Sequence, residues 1–162
     1  MTENSIQFKR ENVLKITLYN EKGEDSGEYL EFDLEDIELP LKYQQAIEDH
    51  KKNYNSLKNQ LLIISKKEDH TGKKLLSSNQ EAEFKALSDF YQKEMKTMDL
   101  FIGEGKTRVI LEKVMRRRPY ITMFNDIIES LEQVSHLFNN GYKSIEEKIK
   151  EKYSIMENNT LE

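Results

Sequence analysis

Tyr43, Ile47, His50, Tyr54, Leu57, Leu61 and Ile64 follow one another at alternating steps of four and three. That spacing places their side chains in one stripe along an α-helix, and a stripe so long needs another helix to cover it. Pro40 marks the helix start, because the first turn leaves its N–H groups unpaired and loses nothing to a proline. Ser78 and Glu81 have the spacing of a capping box opening a second helix near Asn79. Phe84, Leu87, Tyr91, Met95, Met98 and Ile102 supply its apolar stripe. The polar interval from Ser65 to Ser77 reads as a loop, so the two helices are expected to lie antiparallel.

Before this pair the period changes. Leu14, Ile16 and Leu18 alternate with Lys15 and Thr17, and Leu30, Phe32 and Leu34 alternate with Glu31 and Asp33. Alternation of that kind belongs to half-buried strands, and the polar stretch Asn20 to Gly27 between them predicts a β-hairpin over about residues 13–34. Two strands alone are marginal, so the hairpin has to pack on the helices or join another chain's sheet.

The second helix runs into Phe101-Ile102-Gly103-Glu104-Gly105-Lys106-Thr107, where two glycines provide backbone angles for a stop and restart. Val109, Ile110, Val114 and Met115 predict a short helix that ends at Arg116-Arg117-Arg118-Pro119. Ile121, Phe124, Ile128, Leu131, Ser135 and Phe138 share the face of a further helix, with Asn140-Gly141 as its expected stop. Ser144 and Glu147 form a second capping-box spacing, opening a charged helix to about Tyr153. The expected architecture is mainly α (α+β): an N-terminal hairpin, a long antiparallel helical pair and C-terminal helices, in one domain over residues 1–153 with a disordered tail over 154–162.

Composition agrees with long, thinly covered helices: apolar residues make up 36% and charged residues 34%, with two prolines in 162 residues. The absence of cysteine excludes disulfides and thiolate metal sites. Leu61–Ile64, the longest aliphatic run, is too short to span a bilayer. A cytosolic, non-membrane protein is the expectation. The net charge of -5 is unevenly spread. Between Tyr19 and Glu38 nine carboxylates face Lys22 alone, whereas six basic residues from Lys106 to Arg118 face Glu112 alone. Such opposed patches pair within a fold or between copies.

No catalytic constellation emerges. Gly105-Lys106-Thr107 matches the end of a phosphate-binding loop, but Leu100 stands where its first glycine belongs and a helix precedes it instead of a strand. His50, His70 and His136 lack the i, i+4 spacing of a helical metal site, and His50 reads as a satisfied core histidine. The expectation is a protein without catalytic residues, cofactor or metal. Lys113, Arg116, Arg117 and Arg118, with Tyr120 beyond them, form one basic patch for a partner. It is short for a nucleic-acid interface, which leaves nucleic-acid contact as the alternative function.

The acidic hairpin leading into Asp33–Glu38, the long helix from Tyr43, the turn at Phe101, Gly103, Glu104 and Gly105, and the amphipathic helix ending near Asn139 occur in a recognisable order. In that order the chain resembles the tail assembly chaperones of long-tailed phages and prophages of Gram-positive bacteria, from Val13 to about Phe138. Here Ile102 stands between the phenylalanine and the first glycine, and Lys106 between Gly105 and Thr107. The resemblance implies a non-catalytic protein of the host cytoplasm that binds the tape measure protein and tail tube subunits during tail assembly; the apolar stripe and the opposed charge patches add self-association to the expected partners.

Overall fold

The computed structural model describes residues 4–9, 12–72 and 75–160, excluding the side chains of 155–160. It is mostly helical, with an N-terminal antiparallel hairpin followed by helices, as the sequence predicts. Strands β1 (Val13–Tyr19) and β2 (Asp25–Asp33) precede the long helices α1 (Leu39–Ser65) and α2 (Ser78–Ile102). A short helix α3 (Lys106–Val109) runs into a π-helical segment (Ile110–Met115), and α4 (Met123–Glu132) and α5 (Ser135–Thr160) complete the chain.

The hairpin pairs Leu14 with Phe32 and Ile16 with Leu30, with an irregularity between Leu18 and Tyr19. Its loop is shorter than the glycine-containing stretch suggested, because β2 already begins at Asp25. Asn20 explains the difference: its side-chain oxygen accepts from the backbone N–H groups of Lys22 and Glu24, each at 3.0 Å, and closes the turn locally. Leu30 and Phe32 are then buried in the main core with Ala46, Met98, Phe101, Ile110, Phe124 and Ile128, while Leu14, Ile16 and Leu18 flank it.

Helix α2 starts one residue earlier than predicted. The capping box is Ser77 with Gln80, not Ser78 with Glu81: Ser77 Oγ accepts from Gln80 N at 3.2 Å and Gln80 Oε1 accepts from Ser77 N at 3.0 Å. Ser78 is already committed elsewhere. Its hydroxyl donates to Asp69 at 3.2 Å and accepts from His70 N at 3.0 Å, tying the preceding loop to the helix start. The Asn79 backbone N–H contributes most to holding the Asp69 carboxyl below its ordinary range. Residues 73 and 74 of that loop lie outside the described residues.

The C-terminal helices also differ from expectation. The break falls at Gln133-Val134, where Val134 N bonds Leu131 O at 3.1 Å, and not at Asn140-Gly141. Gly141 lies buried within α5, so Ser144 and Glu147 are mid-helix and form no capping box. Close packing is the reason for this glycine: a Cβ there would run into Leu34 Cδ1 and stand 3.2 Å from Leu34 Cβ and Cγ. Backbone helix continues to Thr160, through most of the stretch assigned to a disordered tail, and residues 161 and 162 are outside the described residues.

This assignment can be tested by the sign of one substitution. Gly→Ala inside a helix ordinarily stabilises by about 1 kcal/mol. Gly141→Ala is expected to destabilise instead, by about 1–3 kcal/mol from overpacking against Leu34. Denaturant melts of Gly141→Ala alone and with Leu34→Ala check it; a stabilised Gly141→Ala protein would refute the close approach.

Candidate functional site

At the glycine turn, Gly103 (φ 115°) and Gly105 (φ 75°) both occupy the region that disfavours side chains. Asp99, in the last turn of α2, reaches across it. Its two carboxylate oxygens accept from Gly105 N and Thr107 N, both at 3.0 Å, and its backbone oxygen accepts from Gly103 N. Thr107 is buried, and its hydroxyl donates to Met95 O at 3.5 Å. Lys106 turns toward the hairpin, with Nζ 3.5 Å from Tyr29 O and 5.5 Å from the Tyr29 ring centre. The N–H groups that a phosphate loop aims at its ligand therefore already hold a carboxylate of the chain.

The turn residues divide by role. Phe101 belongs to the core, its ring centre 5.3 Å from Phe32 and 5.0 Å from Tyr43. Gly103 and Gly105 shape the pivot between α2 and α3, and Glu104 is exposed. Beside Phe101, a half-open cavity of about 210 Å³ is lined mainly by Tyr43, Ile128, Leu131, Phe138 and Tyr142. Burial, and secondarily Glu132, pushes the Tyr43 phenol up; burial and then Asp36 do the same to Tyr142.

The basic patch splits in two. Lys113 turns to the hairpin and pairs with Glu28 at 3.6 Å. Arg116, Arg117 and Arg118 instead join Arg108, which the sequence reading did not include, around a groove of about 530 Å³. Met95, Leu111 and Pro119 give it apolar surface, and Glu112, 3.9 Å from Arg108, is its only carboxylate among the described residues. Arg116 has a left-handed backbone (φ 52°), which ends the π-helical segment. Arg117 lies 3.6 Å over the Tyr120 ring. Burial first, and the neighbouring Asp126 second, push the Tyr120 phenol up to about 12; Arg117 opposes this shift and Glu21 adds to it.

Between α1 and α2 lies a polar cluster that the sequence reading missed. Glu94 is 1% exposed, with Oε2 2.5 Å from His50 Nδ1 and Oε1 accepting from Asn53 Nδ2 at 3.0 Å. Asn53 also donates to Thr97 at 3.1 Å. The His50 ring stacks on Phe124 of α4 at 4.0 Å, nearly parallel. Its position as a satisfied histidine fits the expectation, while Glu94 was hidden among many charged residues. Phe90, Glu94, Thr97 and Phe101, at steps of four, three and four, carry the missing signal.

That second series corrects the use of α2. Its seam with α1 is formed by Ala86, Phe90, Glu94, Thr97 and Phe101, all buried. The predicted stripe lies to one side. Met98 and Ile102, at its C-terminal end, enter the main core, whereas Phe84, at its start, is 57% exposed. Beyond His50 the pair continues alone, because the second core cluster, Leu57, Ile64, Ala86 and Phe90, draws only on these two helices. Gln60 and Ile63 emerge on one side of the pair with Ala82 and Asp89. Helical spacing then puts Tyr54 and Leu61 on the opposite side, with Phe84, Leu87 and Tyr91. The result is an apolar and aromatic face on which Tyr54 and Phe84 are exposed and Leu61, Leu87 and Tyr91 are half-buried against the second core cluster.

Among the described residues, no three His, Asp or Glu side chains gather as a metal ion would need, and no helix is long and apolar enough to cross a membrane. Comparison with family models, curated proteins and solved structures gives no match.

Proposed function

We propose that this protein is a non-catalytic phage tail assembly chaperone of the bacterial host cytoplasm, which binds the tape measure protein and tail tube subunits transiently. The observation that carries the reading is the uncovered half of the α1–α2 pair. Tyr54, 50% exposed, and Phe84, 57% exposed, project from a face of the pair that the half-buried Leu61, Leu87 and Tyr91 continue. A long apolar client segment laid along that face would bury what the two helices cannot bury alone. The order of elements from Val13 to Phe138 supports the same assignment by resemblance.

Co-expression with the tape measure protein of the neighbouring gene is the test. The chaperone is expected to raise the soluble fraction of that protein and to co-purify with it. Equal insolubility with and without the chaperone, and no recovered complex, would overturn the reading.

A further inference from the structure

The arginine groove calls for an anionic occupant. It brings four guanidinium groups around one carboxylate, and among the described residues Arg116 and Arg118 have no ion-pair partner. Its apolar surface suits a segment that carries an apolar side chain beside its acids. The hairpin tip has that composition: Glu21, Glu24 and Asp25 are exposed and form no ion pair within the described chain, next to Tyr19, 60% exposed.

Placement adds a second constraint. The hairpin reaches the π-helical segment through Lys113 and Glu28, and that segment also lines the groove through Leu111 and Glu112. Arg116, Arg117 and Arg118, which line the groove, follow directly on the segment whose Lys113 holds the hairpin. In a two-fold dimer each of two complementary patches meets the other's counterpart across the axis, so both contacts form together.

We infer that the groove formed by Arg108 and Arg116–Arg118 receives the acidic hairpin tip of a second copy of this chain, the two tips being exchanged across a two-fold axis. The contact closes on itself. It stands independently of the client assigned above.

Charge reversal on the full-length chain tests it. Sedimentation equilibrium should find a dimer at about 50 mM salt whose dissociation constant rises at least about tenfold at about 500 mM. Arg116→Glu/Arg117→Glu/Arg118→Glu should be monomeric where the parent is dimeric, and so should Glu21→Lys/Glu24→Lys/Asp25→Lys. Mixed together, these two variants should form a heterodimer, because both exchanged contacts then join opposite charges. Circular dichroism checks that each variant remains folded. A parent that is monomeric at every salt, a reversed variant that still dimerises alone, or a mixture that stays monomeric would overturn the inference. Loss of single-stranded nucleic-acid binding in the arginine variant, with its assembly unchanged, would overturn it in favour of a nucleic-acid groove.

Discussion

His50→Ala is expected to destabilise the protein by about 2–4 kcal/mol, because it removes a hydrogen-bond partner from a buried carboxyl and opens a cavity between α1, α2 and α4. Glu94 would remain between α1 and α2 without the Nδ1 contact, and Phe124 would lose the ring stacked on it. For a chain of this size the melting temperature should fall by roughly 10 °C. Replacing the whole pair has a different cost. His50→Leu with Glu94→Leu should recover to within about 1.5 kcal/mol of the parent, since no buried polar group of the pair is left unpaired and volume is approximately kept. Asn53 would still donate to Thr97. Denaturant unfolding of both single variants and the double variant measures the coupling. Purely additive losses would show that the cluster does not act as a unit.

Asp99→Ala is expected to cost about 2–3 kcal/mol, because it strips the acceptors from two backbone N–H groups, one of them on the buried Thr107. Asp99→Asn keeps one carbonyl oxygen and should lose about half as much. The neighbouring residues provide the contrast. Gly105→Val, at a φ of 75°, should cost about 1–2 kcal/mol through backbone strain, whereas Lys106→Ala should stay within about 0.5 kcal/mol of the parent. Thermal melts rank the four variants. A large loss from Lys106→Ala with little change from Asp99→Ala would contradict the pivot assigned to this turn.

Periodicity made the elements legible but did not reveal all of their partners. Alternation at Leu14–Leu18 and Leu30–Leu34 gave the hairpin, and the heptad stripe from Tyr43 to Ile64 gave α1, since each pattern has one strong geometric reading. On α2 two stripes coexist. The more apolar one, through Phe84 and Tyr91, drew attention away from the seam because the seam includes Glu94 and Thr97, whose burial depends on His50 and Asn53 more than forty residues earlier. Gly141 misled for a related reason. A glycine near a helix end is locally read as a stop, and only the approach of Leu34 reveals why a side chain is absent. The basic patch was visible as a charge run, but its division between hairpin and groove depends on how the π-helical segment orients Lys113 and Arg108.

The most direct test of the proposed client binding is retention of the tape measure protein by the purified protein carrying Tyr54→Asp and Phe84→Asp. Both positions are at least half exposed, so the melting temperature should remain within a few degrees of the parent. The account predicts that client retention falls at least about tenfold, equivalent to about 1.4 kcal/mol of binding free energy, while the fold persists. Undiminished retention by this folded double variant would contradict the claim that the open face of α1 and α2 binds the client.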